Sequence, residues 1–102
     1  MKGYKGMDKN MQCRGYQFEV GKIYEMNGIP KLCKNGFHFC LNLIEVFQHY
    51  EFGKDNRYFE VESEDSVTVI GFNKCVTTRI RIVRELSDKE VMSILLTMLE
   101  MC

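Results

Sequence analysis

The chain has 102 residues, of which 45% are hydrophobic, and its 14 basic and 14 acidic residues leave no formal net charge at pH 7. This length suits a single domain, residues 1–102, and the balanced charge argues against direct nucleic-acid binding. No apolar run approaches the roughly 18 residues of a membrane span, and the N-terminus lacks the apolar centre of a signal peptide, so we expect a cytoplasmic protein without membrane association.

Turn dipeptides predict short strands in the first half of the chain. Asn27-Gly28 and Asn35-Gly36 are typical of type I′ turns between antiparallel strands. Alternating apolar and polar residues on either side of Gly21 also indicate strands with a bend or bulge. The predicted strands lie within 16–24 and at 23–25, 29–33 and 37–39.

A short middle helix and a second group of strands follow. Apolar residues at helical spacing predict a helix over 41–50, with Asn42 as its N-cap. Strict alternation over 57–62 predicts a strand with Phe59 and Val61 facing inward. Further strands are predicted at 67–70 and 76–82, the latter with Val76, Thr78, Ile80 and Ile82 on one face.

The C-terminal residues predict a second helix. Ser87 and Glu90 have the spacing of a capping box, and an apolar stripe runs from Val91 to Cys102. The sequence therefore predicts an α+β domain with an antiparallel sheet, a short middle helix and an amphipathic C-terminal helix.

Cysteine and histidine residues raise the question of a metal site. Cys13, Cys33, His38 and Cys40 are ligand types that zinc prefers, but they lack the close pairs of known structural sites. The five cysteines are also an odd number without a C-x-x-C pair, which favours reduced, packed thiols over a disulfide framework. We predict no metal site, and a half-buried His38 beside core cysteines.

Two surfaces are candidates for binding a partner protein. Met92, Leu96 and Met101 widen the apolar stripe of the C-terminal helix, which predicts either a homodimer contact or a target contact, and burial against its own domain is the alternative. The second surface is a basic row along the last predicted strand, for which ion pairs with glutamates on a neighbouring strand are the alternative. The basic residues are Arg79, Arg81 and Arg84, and the glutamates are Glu60, Glu62 and Glu64.

The order of several motifs resembles the ADP-ribosyltransferase family. Arg14-Gly15 matches that family's first Arg-Gly pair, and Phe37 to Cys40 matches its Gly-aromatic strand that leads into a short helix. The resemblance implies NAD as cofactor, with Arg14, His38 and a glutamate such as Glu60 or Glu62 in the site. The late strand carries threonine where the family has its catalytic glutamate, so a non-catalytic domain of similar topology stays open. A common cleft for Arg14 and His38 would favour this resemblance.

Over residues 2–86 the chain is also similar to a family of small phage and prophage proteins. The shared motifs are K-G, C-R-G-Y-Q-F-E-V-G-K-I-Y, L-C-K-N-G-F-H-F-C and R-Y-F-E-V-E. This resemblance implies a viral or mobile-element origin, and the family has no established activity. Small phage proteins of this size often bind and block a host effector, so we expect inhibition of a bacterial defence protein, such as a CRISPR nuclease complex, in the host cytosol without a cofactor. An NAD-dependent ADP-ribosyltransferase-like enzyme that modifies a host protein is the alternative.

Overall fold

The computed structural model describes residues 1–32, 35–63 and 68–100. These residues form nine strands and two helices, and the paired strands are antiparallel, which confirms the predicted α+β class. The elements are β1 (Lys2–Met7), β2 (Gln12–Cys13), β3 (Tyr16–Gln17), β4 (Ile23–Glu25), β5 (Phe37–Phe39), α1 (Leu43–Phe47), β6 (Arg57–Glu62), β7 (Thr68–Ile70), β8 (Cys75–Thr77), β9 (Arg79–Leu86) and α2 (Asp88–Glu100).

Two sheets and a small hairpin make up the β structure. The larger sheet has the order β1-β6-β9-β4, the smaller has the order β5-β8-β7, and β2 pairs with β3. Phe59 and Ile82 of the larger sheet share a buried cluster with Phe39 of the smaller one. On the opposite side, Tyr58 and Leu86 pack with residues of α1 and α2. The larger sheet is therefore covered on both faces.

The strand predicted at 57–62 is confirmed, and Phe59 and Val61 are buried as expected. Tyr58 is buried as well, because α1 lies over the other face and the Tyr58 hydroxyl donates a hydrogen bond to the Tyr50 carbonyl oxygen at 2.7 Å.

The long strand predicted at 76–82 is wrong, because the chain changes sheets at Thr78. Residues before it pair in the smaller sheet as β8, and residues after it pair in the larger sheet as β9. Thr77, which a continuous strand would place on the face opposite Val76, is fully buried and accepts a 3.1 Å hydrogen bond from the Thr68 hydroxyl. The alternating pattern continues across the break, so periodicity alone did not reveal it.

The strand predicted at 29–33 is also wrong over its described residues, 29–32, where the only ladder contact is a Lys31–Asn35 bridge. Strand β4 pairs instead with β9. Type I′ turns require positive φ at both central residues, but only the glycines of Asn27-Gly28 and Asn35-Gly36 have it. The left-handed pair occurs at Arg14-Gly15, with φ of 54° and 81°, where two residues connect β2 to β3.

Both helices begin where their caps predict. The Asn42 side chain accepts a hydrogen bond from the Glu45 N–H at 3.0 Å, but α1 ends at Phe47 and not at Tyr50. In α2, Ser87 and Glu90 each accept a hydrogen bond from the other's backbone N–H, at 3.1 Å. Neither described helix is long and apolar enough to cross a membrane. The predicted ends at Cys33, Val67, Met101 and Cys102 lie outside the described residues.

Candidate functional site

Two adjoining cavities lie along the outer edge of β1. They have volumes of about 410 and 550 Å³, within the range of roughly 300 to 1,000 Å³ that is usual for small-molecule sites. Four residues line both cavities, namely Lys5, Cys13, Arg14 and His38. We call these two cavities together the β1 cleft.

Lys5 is the buried cation of the β1 cleft. In β1 its side chain shares the core-facing side with Met7, so that Lys5 is only 5% exposed. Its ammonium group donates a 2.5 Å hydrogen bond to the His38 carbonyl oxygen and lies 5.3 Å from the centroid of the Phe18 ring. Burial lowers the pKa of Lys5, and among the described residues the groups that oppose this shift are the thiols of Cys13 and Cys40 rather than carboxylates.

The hairpin β2–β3 places Cys13 and the exposed Arg14 at the mouth of the cleft, because the left-handed Arg14-Gly15 pair reverses the chain there. The hydroxyl of Tyr50, in the segment that follows α1, donates a 3.0 Å hydrogen bond to Cys13 Sγ. Burial and the neighbouring Cys13 raise the pKa of Tyr50, so this hydroxyl stays protonated at neutral pH.

The Tyr50 ring reaches this position by packing on Gly6. A Cβ atom at residue 6 would lie 2.7 Å from three side-chain atoms of Tyr50, a distance that real Cβ atoms essentially never show. The glycine of β1 is therefore needed for the close approach of α1 to the strand.

His38 lines the cleft from β5, where its neighbours in sequence, Phe37 and Phe39, are buried. Burial, together with the positive charges of Lys5, Lys74 and Arg14, lowers the pKa of His38 to about 4. His38 is consequently neutral at pH 7 and adds no positive charge of its own.

Comparison with known proteins gives a family but no activity. A family model described as Domain of unknown function (DUF7666) matches residues 1–94. The chain belongs to this family. No curated protein and no solved structure matches the chain. What the chain does must therefore be argued from the DUF7666 domain's own residues.

The cleft unites two of the four residues in the ADP-ribosyltransferase interpretation. Arg14 and His38 line both cavities, whereas Glu60 and Glu62 line neither. Glu60 is bonded to Arg84, and Glu62 lies 4.0 Å from Lys2. The acidic residue at the second cavity is Glu25, which pairs with Arg79 at 3.1 Å.

The rest of that resemblance also differs in detail. Arg14-Gly15 forms a hairpin turn instead of lying on a strand, and the rings of Phe37 and Phe39 are 7% and 2% exposed, so neither offers an open face. The exposed ring at the second cavity belongs to Tyr16, with its ring centroid 5.5 Å from that of Phe37.

The sequence motifs did not predict that Lys5 and Tyr50 line the cleft. One sequence signal for Lys5 was available: in K-G-Y-K-G-M, Lys5 alternates with Gly3 and Met7 on one side of a strand, so a buried Met7 implies an inward-facing lysine. The Tyr50 contact had no such signal, because it depends on the closeness of α1 and β1.

The predicted basic row is divided among ion pairs in the described structure. Arg84 contacts Glu60 and Glu90, Arg79 contacts Glu25, and Arg81 is exposed without an ion pair to any described residue. Glu64 lies outside the described residues.

The candidate zinc ligands form no group of three or more in the described part of the chain. Among residues 1–32, 35–63 and 68–100, no three or more His, Cys, Asp or Glu side chains are grouped so that they could hold a metal ion. Cys33, one of the four candidate zinc ligands, lies outside these ranges. Cys40 is 5% exposed, which agrees with the expected packed thiol.

Proposed function

We propose that the β1 cleft binds a phosphate-bearing nucleotide, and that NAD is the first candidate because of the ADP-ribosyltransferase resemblance. The observation that carries this proposal is the convergence of Lys5 and Arg14 on one cavity whose described lining contains no carboxylate. An arginine fork and a desolvated ammonium group are favourable partners for phosphate oxygens.

The second cavity supplies a surface for the ring of such a ligand. Tyr16 is 47% exposed there, and its ring packs against those of Phe18 and Phe37 at centroid distances of 4.9 and 5.5 Å. Aromatic rings favour offset stacking, so a base or a nicotinamide can pack on Tyr16 while its phosphates contact Arg14.

The positions of the acids favour binding over catalysed transfer. A transferase of the resembled family needs a glutamate at the ribose, but Glu60 and Glu62 lie outside both cavities and Glu25 is held by Arg79. The proposed function is therefore recognition of a nucleotide, without a transfer step.

Thermal unfolding with and without NAD tests this proposal. A ligand present at 100 times its dissociation constant stabilises a protein by about 2.7 kcal/mol, which is a readily measured rise in melting temperature. We expect millimolar NAD to give such a rise, ADP-ribose to retain most of it, and nicotinamide alone to give little, because the phosphates make the charged contacts.

Arg14→Gln and Arg81→Gln form a matched pair for this experiment. Both remove one exposed arginine, but only Arg14 lines the cleft. We expect the ligand-induced rise to shrink in Arg14→Gln and to persist in Arg81→Gln. No rise with any of the three ligands, or equal losses in the two variants, would reject nucleotide binding in the cleft.

A second function, inhibition of a bacterial defence protein, is proposed on the surface of α2. Met92, Leu96 and Leu99 recur at helical spacing and are 46%, 56% and 66% exposed, so the apolar side of α2 extends beyond its buried contact at Val91. An exposed apolar stripe of this kind is typical of a protein contact. The resemblance to phage proteins supplies the class of partner.

Paired variants test the α2 surface. We expect Leu96→Glu to abolish inhibition of a reconstituted CRISPR nuclease or another purified defence enzyme, whereas Ser93→Glu, an exposed neighbour of different type, retains it. Light scattering on both variants reports whether the stripe instead joins two copies of the chain. A monomer that inhibits no defence enzyme tested would leave this second function without support.

A further inference from the structure

Lys5 places its amine where the two cavities of the β1 cleft adjoin. The side chain lines both cavities although it is only 5% exposed. Its Nζ atom donates a 2.5 Å hydrogen bond to the carbonyl oxygen of His38, which also lines both cavities. The same atom lies 5.3 Å from the ring centroid of Phe18, which lines the second cavity. A molecule of a few heavy atoms in the cleft can therefore meet this amine, while bulk water has little access to it.

The surroundings of Lys5 favour the uncharged amine more than those of an exposed lysine do. Burial lowers the pKa of Lys5, the thiols of Cys13 and Cys40 act against this shift, and the positive charge of Arg14 adds to it. The described lining of the first cavity contains no carboxylate that would hold the protonated form. The uncharged amine carries the reactive lone pair, so a desolvated lysine in such a pocket is a nucleophile toward carbonyl carbon.

We propose that Lys5 forms a reversible Schiff base with small aldehydes that carry an anionic group. The amine nitrogen attacks the carbonyl carbon, a proton passes from nitrogen to oxygen, and loss of water leaves a C=N bond in place of the C=O bond. The step is a condensation, so that it needs no oxidant or reductant, and water reverses it. The protonated imine keeps one N–H, which can retain the hydrogen bond to the His38 carbonyl oxygen.

The preference for an anionic aldehyde follows from the other charges in the cleft. Arg14 lines both cavities and Lys74 lines the first. Glu25, at the second cavity, is paired with Arg79 at 3.1 Å. A cleft with an excess of one charge raises the local concentration of the opposite ion, and a guanidinium group binds carboxylate or phosphate oxygens directly. An anionic aldehyde should consequently be held beside Lys5 more often than an uncharged one of similar size.

This reaction uses the same cleft as the proposed nucleotide but is tested separately from it. Imine formation is measured without nucleotide, so a failure of NAD to bind would leave the result for Lys5 unchanged. Conversely, an unreactive Lys5 would leave a melting shift with NAD intact. If both proposals hold, saturating NAD slows the reaction of Lys5.

The experiment treats the full chain at pH 7 and low ionic strength with glyoxylate or, separately, with glycolaldehyde, which is uncharged and similar in size. Sodium cyanoborohydride reduces each imine to a stable secondary amine, and peptide mass spectrometry gives the initial labelling rates at Lys5 and at the exposed Lys9. The ratio of these two rates cancels the intrinsic reactivity of each aldehyde. With glyoxylate we expect Lys5 to react about ten times faster than Lys9 in the folded protein, and equally fast in urea. With glycolaldehyde the ratio should be smaller.

Arg14→Gln and Arg81→Gln are the matched variants for this preference. The Lys5/Lys9 ratio for glyoxylate should fall in Arg14→Gln toward the ratio for glycolaldehyde, and it should be unchanged in Arg81→Gln. A lysine that only anchors β5 through the His38 carbonyl oxygen would react more slowly than Lys9. The proposal is overturned if Lys5 reacts no faster than Lys9, if the ratio is the same for both aldehydes, or if the two arginine variants behave alike.

Discussion

Two charged clusters lie on different faces of the larger sheet, and they are compensated in opposite ways. On the face that carries α1 and α2, Arg84 makes a forked contact with Glu60 at 3.0 and 3.1 Å and a 2.5 Å contact with Glu90. In the β1 cleft, the nearly inaccessible Lys5 donates a hydrogen bond to the His38 carbonyl oxygen, and the described lining of the first cavity contains no carboxylate.

This difference separates a structural cluster from the cleft that we propose as a ligand site. Arg84 forms an ion pair with each of the two glutamates, Glu60 and Glu90, and the cluster connects β6 and β9 to the first turn of α2. In the cleft a cation is held away from water without a carboxylate partner, which costs stability. An incoming anion can recover part of this cost, which makes the cleft, and not the arginine row, the favoured site for a ligand.

The largest expected effect on this comparison comes from Gly6→Ala. The new methyl group would lie 2.7 Å from Tyr50, so that the ring must move away and its hydrogen bond to Cys13 must break. Overpacking of this kind typically costs about 2 kcal/mol, measurable by urea unfolding.

A double-mutant cycle tests the physical cause. In a Tyr50→Gly background the added methyl group meets none of these three side-chain atoms, so Gly6→Ala should cost much less there. An equal cost in both backgrounds would place the strain elsewhere and would remove Gly6 from the account of the cleft.

The sequence predicts the Arg84 cluster better than it predicts the β1 cleft. Strict alternation over 57–62 and the capping box at Ser87 locate Glu60 and Glu90 correctly, because these features depend on neighbours along one strand or one helix turn. Pairing of the arginine row with glutamates is likewise observed at Arg84.

The cleft depends on contacts that local patterns do not encode. The change of sheet at Thr78 preserves the alternation on both sides, and the left-handed turn occurs at Arg14-Gly15 rather than at an Asn-Gly pair. Tyr50 and Cys13 are 37 residues apart in sequence, and they come together where the Tyr50 ring packs on Gly6 of β1. Arg14 and His38 were found through motif order, not through periodicity.

Lys5→Met tests the cost of the uncompensated cation. Methionine is similar in length and removes the buried charge, so we expect a gain in unfolding free energy of about 1 kcal/mol together with weaker NAD binding. Lys9→Met, at an exposed position of the same chain segment, should change neither quantity. A clear loss of stability in Lys5→Met alone would mean that the ammonium group is well compensated, and the contrast between the clusters would fail.

His38 gives the comparison a pH dependence. Its folded pKa of about 4 lies below the unfolded value near 6.5, so between these values the unfolded chain binds more protons and stability falls as the pH falls. We expect His38→Gln to lose less stability than the parent protein between pH 6.5 and pH 4, as measured by melting temperature.

Direct titration of the His38 imidazole by NMR provides the control for this pH effect. Bound phosphate or NAD should raise its pKa toward the ordinary value, since an anion in the cleft favours the protonated ring. A His38 that titrates near 6.5 without ligand would contradict the proposed cationic environment.

The smallest expected effect on stability belongs to Arg84→Gln, on the sheet face that carries α2. Its ion pairs are open to water, so their removal should lower the melting temperature only slightly, and the difference should fade as salt is added. Because Glu60 and Glu90 remain solvated in the variant, no buried charge is left behind, in contrast to the cleft. A loss of stability larger than that of Gly6→Ala would show that the Arg84 cluster is central to the attachment of α2 to the sheet, and the two clusters would then have to exchange their assigned roles in stability.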